Sequence, residues 1–200
     1  RTLTDITVEL GKVIGETDPA RAAARDARLR EELNSGRVET VRQNLIPPLE
    51  DGLIYRGDKG RSGAGSLSVQ PKVQMSANGK TSTALLDDVI GPHFAILSRK
   101  PLAGQSFGSE LAFGGELADA WRLMGGRVAA IGADLTADAG SAGNEPMILQ
   151  EDGRLFADWM DSLQAEAVIV RPDRHVYGVA GAAEEVVPLI RSLLAGLDRR

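Results

Sequence analysis

The sequence predicts an α/β fold in which a mixed sheet carries helices on both faces. The apolar run Ala167–Val170 is bounded by a turn, as expected of a buried strand. Val176–Ala180 returns as a second strand, and a helical stretch over 184–194 closes the chain. Upstream, from His93, short apolar strands alternate with helical stretches. The ending of strand, tight turn, strand and helix is typical of a thioredoxin-like domain.

The turn between the last two strands carries a clear local signal. Pro172 presets the backbone angle for the second position of a type I turn, and Asp173 suits the third position. With Arg171 they form a hairpin motif, for which we expect a structural role with Asp173 accepting backbone N–H bonds. Arg174 adds another charge. An ion-pair cluster that contacts a partner and a solvated turn with weak exposed pairs are both compatible with this pattern.

The first predicted strand of the core, His93–Ser98, opens a strand–helix–strand unit. A helix over 116–124 follows, with Trp121 on its apolar side, and Gly125-Gly126 caps it. The second strand is Val128–Ile131. A redox-active thioredoxin places its thiol motif directly after the first strand, where this chain has no sulfur.

A low-hydrophobicity loop over 134–146 separates the second strand from the next helix. Asp152 is the predicted N-cap of that helix, which runs to Leu163. The strand Ala167–Val170 comes next. Because helical crossovers join the first three strands of the core, we expect these strands to be parallel. Gly196 is expected to end the last helix.

Two helices are predicted at the start of the chain. Residues 2–14 form an amphipathic helix, and Asp18 is the N-cap of a second helix that Asn34–Gly36 stop. The apolar stripe of the first helix consists of Leu3, Ile6, Leu10, Val13 and Ile14.

The segment 37–92 is predicted to be a connector. Gly57–Gly65 holds four glycines and little apolar content, so we expect a mobile loop. A phosphate-binding role is not predicted, because no helix follows these glycines. Ser66–Val73 is expected to be extended, Asn78-Gly79 to be a turn, and Leu85–Ile90 to be a short helix or turn.

The composition allows one domain, or one domain with an appendage. Of 200 residues, 42% are hydrophobic, which is enough for a core. The formal charge of −5 argues against a nucleic-acid partner, which needs a basic patch. No apolar run approaches the ~20 residues of a membrane helix, so we expect no membrane partner. Cysteine is absent, which excludes disulfides, thiol redox chemistry and thiolate metal sites and is compatible with a cytoplasmic origin.

Candidate catalytic and metal-binding groups are few. The two histidines, His93 and His175, have no cluster of further ligands, so we predict no metal site. A Ser98–His175–Asp173 constellation can be assembled on paper, but no nucleophile-elbow pattern accompanies it. The adjacent acids Asp87-Asp88 and Glu184-Glu185 are expected to lie in solvated turns and helix starts, since catalytic carboxylates act from opposite sides of a bond. We therefore predict no catalytic, cofactor-binding or metal-binding residue in this chain.

Four segments carry a resemblance to a known family: Gln70–Val73, Leu85–Gly91, Phe94–Leu97 and Glu166–Ala180. Together they resemble the C-terminal part of FAD-dependent aromatic-ring hydroxylases, the class A flavoprotein monooxygenases. The nearest resemblance is to 3-(3-hydroxyphenyl)propionate hydroxylases. It covers most of the chain, in order. Because those enzymes are much longer, the resemblance implies that the chain is a C-terminal portion.

The resemblance implies three parts. Residues 1–36 would be a helical segment from the end of the FAD domain, residues 37–92 a connector, and residues 93–200 a thioredoxin-like C-terminal domain. The parent would use FAD, NADH or NADPH and oxygen to hydroxylate a phenol. The Gly-x-Gly-x-x-Gly fingerprint of the family is missing here, since Gly57–Gly65 lacks its strand and helix context. We therefore expect no cofactor in this chain itself, which would act in structure and subunit association.

The partners implied are the upstream FAD domain and further copies of the chain. The apolar stripe of the first helix would lie on the FAD domain, with packing on the chain's own core as the alternative. Where that domain is absent, we expect the stripe to support self-association. A different class of function is an independent module that uses a thioredoxin scaffold to bind a small molecule or peptide. A reading frame that continues upstream distinguishes the two hypotheses.

Overall fold

A computed structural model of the chain describes most of its residues. It forms two compact units, Arg1–Pro47 and Pro48–Arg200. The described residues are 3–34, 46–55, 57, 62–77, 80–102, 115–136 and 146–198.

The first unit contains the two predicted helices, α1 (Leu3–Ile14) and α2 (Pro19–Asn34). The Asp18 carboxylate accepts the backbone N–H groups of the first turn of α2 at 3.0 and 2.9 Å, which confirms the predicted N-cap. Leu10 is 51% exposed and Ile14 is 84% exposed on α1. The side chains of Leu3 and Ile6 lie outside the described residues, so the full stripe stays a prediction.

The second unit is built on a seven-stranded sheet with the strand order β2-β1-β5-β4-β3-β6-β7. A short 3₁₀ turn, Ala183–Glu185, precedes the last helix. The strands are β1 (Lys72–Ala77), β2 (Lys80–Leu85), β3 (Ala95–Ser98), β4 (Arg127–Gly132), β5 (Met147–Asp152), β6 (Ala167–Val170) and β7 (Val176–Ala180). The helices are α3 (Leu86–Ile90), α4 (Glu116–Leu123), α5 (Leu155–Ser162) and α6 (Val186–Leu197).

The sheet is mixed, as predicted. β3, β4 and β5 are parallel. β1 is antiparallel to both β2 and β5, and β6 is antiparallel to both β3 and β7. The prediction that β6 is parallel to β3 and β4 is wrong. Ala167, the first residue of β6, lies opposite Ser98, the last residue of β3. The connection through α5 therefore brings the chain back to the end of the sheet at which β3 ends. β6 starts there and runs in the direction opposite to β3.

Helices cover both faces of this sheet and enclose two apolar cores. α3 and α5 pack on one face, where Phe156 and Met160 are buried. α4 and α6 pack on the other, where Trp121 and Ile190 are fully buried. Together with the strand order, this arrangement confirms the thioredoxin-like α/β fold, preceded by the helices of the first unit.

The strand β5 was missing from the sequence-based prediction. Met147-Ile148-Leu149 is short, follows a polar loop and leads into residues that were assigned to a helix start. In the structure Asp152 is the last residue of β5, where it pairs with Lys72, so it is not the N-cap of α5. Burial of Leu149 between β4 and β1 fixes this strand, and β1 is distant from it in sequence.

The predicted connector spans residues 37–92, and its part from Pro48 onward lies in the compact unit that holds the sheet. β1 pairs with both β2 and β5, and Val73 is completely buried. The predicted turn at Asn78-Gly79 lies outside the described residues. The short helix predicted over Leu85–Ile90 is confirmed as α3.

The segment that precedes β1 covers the β7 edge of the sheet. Tyr55 N–H donates to Tyr177 O at 2.7 Å, and Gly65 N–H donates to Val176 O at 2.8 Å. Gly65 has φ +86°, and a Cβ there would lie 2.3 Å from Leu49 O. The end of the Gly-rich stretch is therefore held against β7, which differs from the mobile loop that we expected. Residues 58–61 lie outside the described part.

No helix in the described ranges is both long enough and apolar enough to cross a membrane.

Candidate functional site at the β6–β7 hairpin

The hairpin turn forms where its residues predict it. Arg174 N–H donates to Arg171 O at 3.0 Å, which closes a four-residue turn with Pro172 and Asp173 at its central positions. Arg174 has φ +68°, a left-handed conformation, and Arg171 N–H donates to His175 O at 2.9 Å. A left-handed residue after a tight turn is a common way for a hairpin to close while its strands keep their twist.

The Asp173 side chain stabilises the turn through hydrogen bonds to its neighbours. Its carboxylate accepts a hydrogen bond from Arg171 Nη2 at 2.5 Å and another from the backbone N–H of His175 at 3.3 Å. Burial raises the pKa of Asp173, but these hydrogen bonds and the electrostatic effects of Arg171 and His175 outweigh burial and lower it below its ordinary value. The backbone contact predicted for Asp173 is thus present.

The two arginines of the turn reach separate segments of the same unit. Arg171 Nη1 donates to Leu53 O at 3.1 Å. Arg174 Nη2 donates to the backbone oxygens of Asp87 at 3.2 Å and Gly91 at 3.0 Å, next to the end of α3. The side chains of Arg171 and Arg174 are only 18% and 24% exposed. These arginine contacts therefore join the hairpin to its own unit. Sequence reasoning did not separate this arrangement from a partner contact or a solvated turn.

Asp87 completes the contact with α3. Its carboxylate lies 3.3 Å from Arg174 Nε and accepts a hydrogen bond from Gln70 Nε2 at 3.0 Å. Burial raises the pKa of Asp87, the charge of Arg174 lowers it, and Asp88 raises it again; the net direction is upward. Asp88, the neighbouring acid, is exposed.

Arg99 is the first residue after β3, the strand that a thiol motif follows in redox-active thioredoxins. Its Nε donates to Ala165 O at 2.8 Å, and its Nη2 lies 2.6 Å from the Asp161 carboxylate. The neighbouring Ser98 is buried and donates to Lys100 O at 2.7 Å. A guanidinium cannot replace a thiolate in disulfide exchange, and the chain contains no cysteine, so this end of the sheet has no thiol chemistry.

The structure does not bring Ser98 together with His175 and Asp173, the residues of the possible catalytic triad. Ser98 lies opposite the first residue of β6, whereas His175 follows the turn at the other end of that strand. His175 Nδ1 is 3.2 Å from Asp173 O. His93 lies beside Gly91 and Gly125. Within the described residues, no group of three or more His, Cys, Asp or Glu side chains is placed to hold a metal ion.

One charged group that sequence reasoning missed is the buried carboxylate of Glu151. It is 5% exposed and accepts the backbone N–H groups of Phe156 at 2.6 Å and Ala157 at 3.3 Å. It thus accepts hydrogen bonds at the N-terminus of α5 although it lies on the preceding strand, β5. An acidic residue shortly before an apolar helical run indicates such an acceptor in the sequence, but Asp152 fits that pattern equally well.

A polar cleft of about 350 Å³ lies beside the open side of the sheet. Two of its lining residues are hydrogen-bonded, with Gln150 Nε2 donating to Ala133 O at 3.1 Å. The cleft is lined by Gln74, Ser76, Thr81, Ala133, Asp134, Leu135, Thr136 and Gln150.

Comparison with known proteins places this geometry in a family. Residues 65–195 match the model of the family described as HcaD C-terminal domain. A 3-(3-hydroxy-phenyl)propionate/3-hydroxycinnamic acid hydroxylase of Mycobacterium sp. (strain KMS) is 28% identical over 201 residues, covering 93% of this chain and 32% of the relative. A probable NADH-specific resorcinol 4-hydroxylase of Rhodococcus jostii (strain RHA1) is 26% identical over 201 residues, covering 98% and 32%.

The chain spans about a third of the length of these curated relatives. Among solved structures, the mitochondrial 2-Cys peroxiredoxin from Plasmodium falciparum has a TM-score of 0.41 and 13% identity, covering 64% of this chain and 92% of that one.

Proposed function

We propose, from the premise that this chain belongs to the family described as HcaD C-terminal domain, that it is the C-terminal, non-redox domain of an FAD-dependent aromatic hydroxylase. The observation that carries the proposal is the family match over residues 65–195, which includes every strand of the sheet. The names of the relatives, hydroxylases of phenolic acids and of resorcinol, agree with it.

The proposed reaction of the whole protein is hydroxylation of a phenolic substrate such as 3-(3-hydroxyphenyl)propionate. It would consume NADH or NADPH and molecular oxygen, with FAD bound by the upstream part of the protein. The relative from Rhodococcus jostii is named as NADH-specific, which favours NADH as the first reductant to test. We assign no residue of this chain to that chemistry.

The role that we propose for this chain is structural. The hairpin arginines join three stretches of the second unit through Leu53, Asp87 and Gly91, so the unit is braced by its own contacts. Arg99 is engaged by Ala165 and Asp161. The sequence contains no cysteine, so this thioredoxin-like scaffold has no thiol. Such a unit is suited to cover and hold a neighbouring domain.

For α1 we propose the upstream FAD domain as the partner. Leu10 and Ile14 expose large apolar side chains, and burying one such side chain fully contributes about 1.5–3 kcal/mol. An apolar face on a short helix is stabilised by packing against another surface.

The complete reading frame tests the proposal. We expect the purified full-length protein to oxidise NADH faster when 3-(3-hydroxyphenyl)propionate or resorcinol is added, with formation of hydroxylated product. Product analysis separates hydroxylation from uncoupled oxidation. A full-length protein that forms no hydroxylated product from any phenol, or a reading frame that begins at Arg1, would contradict the proposed function.

A further inference from the structure

The two edges of the sheet differ in their cover. β7 is hydrogen-bonded along its outer side by the segment that precedes β1, through Tyr55, Gly65 and Ser66. β2 forms the other edge, and within the described ranges no backbone hydrogen bond reaches its outer side. An uncovered edge strand offers a row of N–H and C=O groups to another strand.

The register shows which residues face outward. Lys72–Ala77 and Lys80–Leu85 pair without interruption, and just beyond the ladder Leu86 N–H donates to Pro71 O at 3.0 Å. In an antiparallel pair, alternate residues direct both backbone groups to the partner strand. The even-numbered residues of β2 therefore bond to β1, so Thr81 and Thr83 direct their N–H and C=O groups outward.

The usual protection of an edge strand is weak here. Natural edges carry proline, bulges or several charges. β2 has no proline and no bulge, and Lys80 at its start is its one charge. Its first four residues are exposed.

We propose that β2 pairs antiparallel with β2 of a second copy of the chain, across a two-fold axis at Ser82. The residues Thr81-Ser82-Thr83 read the same in both directions, so each threonine meets a threonine and Ser82 meets Ser82 of the second copy. The outward groups of Thr81 and Thr83 then form about four backbone hydrogen bonds across the axis. The result is one continuous sheet through both copies.

This register also suits the side chains. Facing threonines are favourable cross-strand pairs. Lys80 lies opposite Ala84 of the second copy, so the two Lys80 side chains start about 14 Å apart along the strand, beyond the Debye length of about 10 Å. A two-fold axis at Thr83 would instead draw Leu85 into the pairing, immediately before α3 begins. The axis at Ser82 uses only residues 80–84.

The pairing rests on the sheet edge and not on the proposed flavoprotein parent, so the two proposals fail separately. It is also distinct from the self-association expected of α1, because it needs no residue of the first unit.

A disulfide reports the pairing directly, because the chain has no cysteine of its own. In the proposed register the two Ser82 residues form a non-hydrogen-bonded pair with Cα atoms about 4.5 Å apart, within the range that a disulfide spans. We expect Ser82→Cys to give a covalent dimer under mild oxidation, measured on a non-reducing gel.

Thr81→Cys is the matched control, since its partner in this register is Thr83. The two copies of position 81 are then about 8 Å apart, beyond disulfide reach. We expect it to cross-link at least tenfold more slowly than Ser82→Cys. Equal rates for the two variants, or no dimer from Ser82→Cys, overturn the proposal.

A second variant removes one outward N–H without touching the β1–β2 ladder. Thr83→Pro is expected to weaken the dimer at least tenfold by sedimentation equilibrium, whereas Thr83→Ala, which keeps the N–H, should change its dissociation constant less than threefold. Circular dichroism checks that both variants fold. If Thr83→Pro dimerises as tightly as the unsubstituted chain, or the unsubstituted chain is monomeric at all concentrations, the proposal is wrong.

If Thr83→Pro fails to fold, hydrogen exchange of the backbone amides in the unsubstituted chain tests the pairing instead. The amides of Thr81 and Thr83 should become more protected as protein concentration rises, while Ser82 stays protected throughout by its bond to β1. Protection of Thr81 and Thr83 that does not change with concentration overturns the proposal.

Discussion

Asp173 stabilises the hairpin in its ionised form. The carboxylate receives Arg171 Nη2 and the backbone N–H of His175, and its pKa lies below the ordinary value of 3.8. A carboxyl whose pKa is lowered by folding contributes stability above the unfolded pKa, and this contribution is lost as the pH falls through the folded pKa.

We therefore expect Asp173→Asn to be destabilising at pH 7. The stability of this variant should approach that of the unsubstituted chain as the pH falls below about 4. Because Asp173 is half exposed, solvent screening keeps the effect of the charge at about 1 kcal/mol or less. Urea unfolding at several pH values measures it. Asp158→Asn, which removes the exposed helical pair with Arg154, is the control and should cost about 0.3–0.5 kcal/mol at neutral pH. A stability difference for Asp173→Asn that is the same at pH 3 and pH 7 would contradict this account.

At the scale of elements, α5 depends on a carboxylate from a different element. Glu151 on β5 is buried and accepts the N–H groups of Phe156 and Ala157. These donors have no partner within the helix, since the first N–H groups of any helix lack one. Losing a charged acceptor in a buried position costs about 1–3 kcal/mol.

Glu151→Ala is accordingly expected to lower the free energy of unfolding by about 2 kcal/mol, measured by urea denaturation. The neighbouring exposed Asp152 provides the control, and Asp152→Ala should change stability by less than about 0.5 kcal/mol. If Asp152→Ala is the more damaging substitution, the N-cap predicted from sequence is right and the role assigned to Glu151 is not.

Elements with strong local signals were predictable from the sequence. β6 and β7 have the predicted limits, because a four-residue apolar run and a Pro-Asp turn fix them locally. The helix α2 and its N-cap Asp18 were also predicted. β5 was not, because its place in the sheet depends on pairing with β1, which is far away in sequence.

The candidate site was predicted only in part. The motif Arg171, Pro172 and Asp173 is local, so its turn and the backbone contact of Asp173 followed from the sequence. The partners of its arginines, Leu53 and Gly91, are more than 80 residues away from them in the chain, and no local pattern announces them. Gly196 was expected to end the last helix, but α6 continues past it to Leu197. A Cβ at Gly196 would lie 3.1 Å from Leu53, so this glycine allows a close approach.

At the scale of the whole molecule, the second unit is a thioredoxin-like scaffold from which the thiol chemistry is missing. Arg99 directly follows β3, and its guanidinium is held by Ala165 O and Asp161. One edge of the sheet is covered by the segment that precedes β1, and at the β2 edge no backbone hydrogen bond comes from the described residues. The structural role proposed for this chain rests on these features.

The central claim is that this chain is a structural domain whose parent binds the flavin elsewhere. The direct test purifies the 200-residue chain and the complete reading frame side by side, incubates both with FAD, removes free FAD by desalting, and records their absorption spectra. We expect stoichiometric flavin bands in the full-length protein and none in the 200-residue chain, because the dinucleotide fingerprint is missing from this sequence. Stoichiometric flavin retained by the 200-residue chain, or a full-length protein that retains no flavin, would contradict the claim.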